Sequence, residues 1–303
     1  MAGAAHTFLF GGRPIEIRLP PRPKRERKGG GSWGDDRIWC SSWRTASERP
    51  LCFDVLSLDV FVDLKKPLGV PAESLGHVKL DHFSKGQRAR FEKLAEQGEA
   101  LATDALEHWL RVLRWKSLRP HIGRPQTSRG PLHGVYLVDY SSKRRFYAGP
   151  ISITAGVSCP LSKRIWHRTA TALAQALEPP IWFDFLFEGE HRVASGDLSG
   201  SVIHLAIAAE SLLREIVARK HAKTPVDEEF RALLNQVSIS RIVDRWKHLR
   251  LHQRSRAKAI ELPAFKRLFE LRNRLMHRGD GHLDAAECRS LAKAVRTLLL
   301  CAG

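Results

Sequence analysis

From Leu198 to Cys301 the apolar residues recur at the period of an α-helix, and this constrains the chain more than any other feature. Ile203, Ala206, Ile207, Leu212, Leu213 and Ile216, with Glu210 among them, mark a long helix. Thr224-Pro225 interrupts it, and Phe230, Leu233 and Leu234 open a second helix. Ile239, Ile242, Val243 and Trp246 open a third segment; Phe265, Leu268, Phe269, Leu271, Leu275 and Met276 mark a fourth. The last helix is expected from Asp284, its N-cap, to Leu300. About 105 residues with four or five helices and short connections predict a helical bundle.

Before Pro179-Pro180 the pattern is mixed. "LSLDVFVDL" alternates, with Leu56, Leu58, Val60, Val62 and Leu64 on one face, which predicts a half-buried strand. Ser84 is placed to cap a helix running to about residue 116, with Phe91, Leu94, Leu101, Ala105, Trp109 and Leu113 along one side. "GVYLVDY" and "ISITA" have strand character, with "SSKRR" as their expected connection. Ser162 is placed to cap a helix to Leu177, where the two prolines stop it. Residues 18 to 34, "RLPPRPKRERKGGGSWG", predict a mobile arm or long loop. The expected fold class is therefore α+β: a basic Pro/Gly-rich arm over 1–50, a small sheet with helices over 51–180, and an all-α bundle over 181–303.

Charge narrows the partners. Lys and Arg number 50 against 32 Asp and Glu, a net +18. Such a surplus favours a polyanion, because each phosphate contact releases condensed counterions. The five cysteines are scattered with no CxxC pair, which supports neither a disulfide framework nor a zinc knuckle. "MAGAAHTFLFGG" lacks the basic and sustained apolar regions of a secretory signal, and no run of 18 apolar residues occurs. The expectation is a cytoplasmic protein off the membrane.

One short stretch concentrates chemistry: "LRNRLMHRGDG", residues 271 to 281. Pro263 suits the first turn of its helix and Gly279 the position just past the end. Ala264, Leu268, Leu271 and Leu275 form the inward stripe. At 100° per residue, Asn273 and His277 lie about 40° apart on one face. Arg272 is roughly 140° from His277 but long enough to fold toward it, and Arg274 and Arg278 add positive charge. Arginine offers phosphate a planar fork of donors, and histidine exchanges protons near neutrality. The same residues also fit an ordinary helix end, where cations complement the dipole.

Arg272-Asn273-xxx-His277 resembles the R-N-x-x-x-H motif of the HEPN superfamily (higher eukaryotes and prokaryotes nucleotide-binding domains). "ASGDLSGSVIHLAIAAESLLREIVARK" is similar to the opening helix of its Apea-like branch, and "FKRLFELRNRLMHRGDG" to that branch's motif segment. The resemblance covers about residues 190 to 303. It implies a helical bundle, a homodimer with a composite site, and a metal-independent endoribonuclease that needs no cofactor. His277 would be the general acid/base, Arg272 would stabilise the scissile phosphate, Asn273 would orient either, and Glu210 would hold Arg272. Arg278 departs from the small or neutral residue usual after the histidine, and would strengthen phosphate attraction. The resemblance further implies a toxin or anti-phage effector acting on RNA, with an antitoxin or other regulatory partner.

"SRIVDRWKHLRLHQRSRAK" carries seven basic residues from Arg241 to Lys258 against one acid, Asp244. Arg245, Lys247, Arg250 and Arg254, together with Arg274, are the expected RNA-binding residues, with Trp246 available for stacking or for the core. His248 and His252 are four apart but lack a third ligand, so no metal site is expected. Trp109, Trp115, Trp166 and Trp182 are expected in packing. Two rivals stand beside the nuclease. One is a non-catalytic RNA-binding or dimerisation module with His277 merely packed; the other is a partner-binding regulator for which the charge is incidental.

Overall fold

The computed structural model describes residues 3–20, 38–44, 49–55, 58–66, 83–119, 122, 136–138, 145–147, 162–221, 236–244, 262–279 and 283–302. The chain divides into two compact units, Met1–Glu178 and Pro179–Gly303. The fold is α+β.

The first unit opens with a hairpin, β1 (Ala5–Phe10) and β2 (Arg13–Arg18). Gly11 and Gly12 join the strands, both at positive φ (56° and 71°), as a two-residue turn matched to strand twist requires. β1 buries His6 and Phe8, and β2 buries Ile15 and Ile17. This corrects the reading of the first fifty residues as an arm. The segment alternates with period two on both sides of a Gly-Gly turn, and its inward residues belong to the core; within the expected arm, residues 21–37 lie outside the described residues. β3 (Ile38–Arg44) and β4 (Arg49–Val55) form a separate antiparallel pair with irregular register near Ser42.

β5 (Asp59–Val62) adds antiparallel to β2, so the first sheet has the order β1-β2-β5. Leu58, Val60 and Val62 pack against its core, as their alternation predicts; Leu56 lies outside the described residues. α1 (Lys85–Ser117) begins with a capping box: Ser84 Oγ accepts from Gln87 N at 3.2 Å, and Ser84 N donates to Gln87 Oε1 at 2.9 Å. Its buried side includes Phe91, Leu94, Ala105, Trp109 and Leu113, with Leu101 half-buried.

β6 (Tyr136–Val138) pairs antiparallel with β7 (Arg145–Tyr147). The strand partner is thus "RFY", at the end of the expected "SSKRR" connection; "ISITA" lies outside the described residues. α2 (Lys163–Ala174) is capped by Ser162, whose Oγ accepts from Ile165 N at 3.3 Å. It stops three residues short of Leu177, with Ala176 in the left-handed region at φ 48°. α1 and α2 close over the β1-β2-β5 sheet, and Trp109, Trp166, Val112 and Leu173 fill the space beneath.

The second unit is all helical among its described residues. α3 (Ile181–Ser195) follows Pro180 and ends at Gly196, φ 86°. Sequence reading assigned no element here. "IWFDFLF" is nearly continuous in apolar residues, so its period is hard to see, yet Trp182, Phe183, Leu186 and Phe187 are all buried. α4 (Leu198–His221) packs against α3 and against the last two helices. Val202, Leu205, Ala206, Ala208, Ala209, Leu212, Leu213 and Val217 are buried, so most of its circumference faces protein, as a central bundle helix requires.

α5 (Ile239–Asp244) buries Ile239, Ile242 and Val243. The helix expected at Phe230 lies outside the described residues. α6 (Leu262–Arg278) has Pro263 in its first turn and buries Phe265, Leu268, Phe269 and Leu271. α7 (Ala285–Ala302) starts after Asp284, whose Oδ2 accepts from Glu287 N at 2.9 Å, the predicted cap. Arg267 donates to Glu287 at 2.7 Å and ties α6 to α7.

Candidate functional site

The last turns of α6 lie beside α4, and this places the motif residues. Leu268 and Leu271 are buried, fixing the rotation of α6, so Asn273 and His277 fall on its exposed side. Gly279 follows at φ 67°, and its N–H donates to Leu275 O at 3.1 Å, ending the helix as expected.

Arg272 is half-buried. Its Nη1 donates to Asn273 Oδ1 at 3.0 Å, and its Nη2 lies 3.7 Å from Glu210 Oε2 on α4. The other oxygen of Glu210 accepts from Arg214 Nη2 at 2.7 Å and from Arg214 Nε at 3.2 Å. Arg214 Nη2 also donates to Val237 O at 3.1 Å, which links α4 to the segment before α5. Glu210 therefore stands between two guanidinium groups, one per carboxylate oxygen.

Arg214 was missed from the sequence. Its spacing, one turn after Glu210, was the available signal, because such i,i+4 pairs meet on a helix surface. His277 is exposed, as is Arg278; Arg274 is half-buried. Arg245, Lys247, Arg250 and Arg254 lie outside the described residues, as do Trp246, His248 and His252.

The arrangement offers a guanidinium held from two sides and open to solvent, a carboxamide bonded to it, and an imidazole one turn further on. A guanidinium has five N–H donors, so one bound to Asn273 and facing Glu210 retains donors for an oxyanion. His277 sets an imidazole, a group chemically able to exchange a proton, on the exposed side of α6. Among the described residues, no group of three or more His, Cys, Asp or Glu side chains is placed to hold a metal ion. No helix among them is long and apolar enough to cross a membrane. Trp109, Trp166 and Trp182 are buried and Trp115 packs at the edge of the first unit's core.

No protein-family model, curated protein or solved structure matches this chain.

Proposed function

We propose that residues 181–303 are a HEPN-type, metal-independent endoribonuclease that works as a homodimer in the cytoplasm, as a toxin or defence effector held in check by a regulatory partner. The observation that carries this reading is the Glu210–Arg272–Asn273 chain, drawn from two helices and set one turn before the exposed His277.

The chemistry asks little of the protein. The ribose 2′-hydroxyl is already positioned as a nucleophile beside its own phosphate. His277 removes its proton, O2′ bonds to phosphorus, and the P–O5′ bond breaks as O5′ takes a proton from water, to which the imidazolium of His277 then returns its own. Arg272 neutralises charge that grows on the non-bridging oxygens, and Asn273 fixes the orientation of that guanidinium. The products are a 2′,3′-cyclic phosphate and a 5′-hydroxyl. Arg274 and Arg278 attract the strand, and Arg245, Lys247, Arg250 and Arg254 add to the positive charge that favours it.

The test is incubation of the purified chain with structured and unstructured RNA in excess EDTA, followed by analysis of the ends. Cleavage that leaves cyclic phosphates supports the proposal. RNA binding without cleavage of any substrate replaces it with a non-catalytic binding or dimerisation module, and no RNA affinity at all replaces it with a partner-binding regulator.

A further inference from the structure

The surplus positive charge is not spread evenly. Residues 108–177 contain twelve Lys and Arg and a single carboxylate, Asp139, a net +11 out of +18 for the whole chain. The two ends of this stretch are the last third of α1 and all of α2, and these helices pack against each other in the first unit.

The packing brings like charges together. Lys116, near the end of α1, lies with its ammonium 3.2 Å from the centroid of the Trp115 ring. Its pKa is held below the usual lysine value, first by burial and then by the nearby Arg168 guanidinium of α2. α2 also carries Lys163 and Arg164 in its first turn, both exposed, with no acidic residue there. Helix N-termini favour anions, so two cations at this end run against the dipole. The carboxylates that bound the stretch pair with other cations of it, Glu107 with Arg114 and Glu178 with Arg111.

A surface built this way is held at an electrostatic cost that a bound polyanion removes. Its cations ride on two helices of a packed unit, so their spacing is fixed by the core that contains Trp109 and Trp166. The ring beneath Lys116 gives that ammonium a defined seat.

We propose that the face of the first unit formed by Lys116, Arg164 and Arg168 binds the phosphate backbone of single-stranded RNA. It serves as a docking surface without sequence preference. This goes beyond the nuclease reading and does not depend on it, since a chain that cuts nothing would still bind here.

The probe is a fluorescein-labelled 2′-O-methyl RNA of roughly 20 nucleotides, long enough to make several of the phosphate contacts that set salt dependence and lacking the free 2′-hydroxyl that serves as the nucleophile in cleavage. Anisotropy titrations compare the full chain with the triple variant Lys116→Gln, Arg164→Gln, Arg168→Gln. The control removes the same charge from exposed positions of the second unit: Lys266→Gln, Arg289→Gln, Lys293→Gln. The first-unit variant is expected to bind at least about tenfold more weakly near 0.1 M salt, and to reduce the slope of log K against log salt by about two. The control is expected to stay within about twofold of wild type. Circular dichroism confirms that both variants fold; if the triple variant does not, Arg168→Gln alone is used, with an expected loss of about threefold. Equal losses in the two variants, no loss in either, or binding to anionic phospholipid vesicles in preference to RNA overturns the proposal.

Discussion

Glu210 presents Oε2 to Arg272 at 3.7 Å while Arg214 holds Oε1 at 2.7 Å. The carboxylate is thus fixed by one arginine of its own helix and aimed at another across the bundle. Removing its charge leaves the Arg272 guanidinium positioned by Asn273 alone. Glu210→Gln is expected to lower RNA cleavage about tenfold to a hundredfold, through kcat more than KM, because misplacing a reacting group by an ångström has costs of that order. Arg214→Gln is expected to act in the same direction and more weakly, with partial rescue by Arg214→Lys. The pair is partly exposed, so the thermal midpoint should move little. Steady-state kinetics beside a melting curve separates the two effects.

Trp109 donates its indole N–H to Nδ1 of His6 at 2.9 Å, and the Trp166 ring stacks on the imidazole with centroids 3.7 Å apart. Nε2 is buried without a hydrogen bond of good geometry. Burial, reinforced by His167, lowers the His6 pKa from 6.5 to about 4, and the Trp166 backbone counters this only in part. The neutral form is therefore the folded form. The unfolded chain binds more protons between these values, so this contribution to stability is complete above pH 6.5 and is lost as pH falls to about 4. The loss is on the order of 3 kcal/mol. Denaturant unfolding followed by tryptophan fluorescence from pH 7 to pH 4 should show that slope, and His6→Gln should flatten it. An unchanged slope in the variant would assign the dependence to other groups.

Gly189 of α3 lies against Leu205 of α4. A Cβ there would stand 2.8 Å from Leu205 Cγ and 3.2 Å from the Leu205 backbone nitrogen. Leu205 is fully buried and has no room to retreat. Gly189→Ala is expected to destabilise the second unit by about 1–3 kcal/mol despite its better helix propensity. Calorimetry or urea unfolding measures this directly. A stabilised variant would mean that the two helices are not packed this closely.

The parts legible in the sequence were those encoded locally. Ser84, Ser162 and Asp284 each cap the helix expected of them, because a cap is a short-range hydrogen bond between residues three apart. Gly279 ends α6 for an equally local reason. The hairpin Ala5–Arg18 was overlooked because the basic run after it dominates the composition of the first fifty residues. Its alternation is clear once His6, Phe8, Ile15 and Ile17 are seen to share a buried face. α3 was hidden by its own aromatic content. At the candidate site, Arg272, Asn273 and His277 are neighbours on one helix and could be grouped by spacing. The Arg214–Glu210 pair could be read from its spacing of four along α4, but the placement of Arg272 beside Glu210 depends on how α4 packs on α6, which spacing along the chain does not specify.

The central claim is that His277 moves protons in RNA cleavage, and mapping RNA ends in cells tests it most directly. Wild type and His277→Ala are expressed to equal levels, and 5′-hydroxyl and cyclic-phosphate ends are sequenced. New ends of both kinds with wild type, absent with a variant that keeps its helicity and its RNA affinity, are the result expected. Identical end profiles for the two proteins, or a variant that loses its fold along with its ends, would contradict the account.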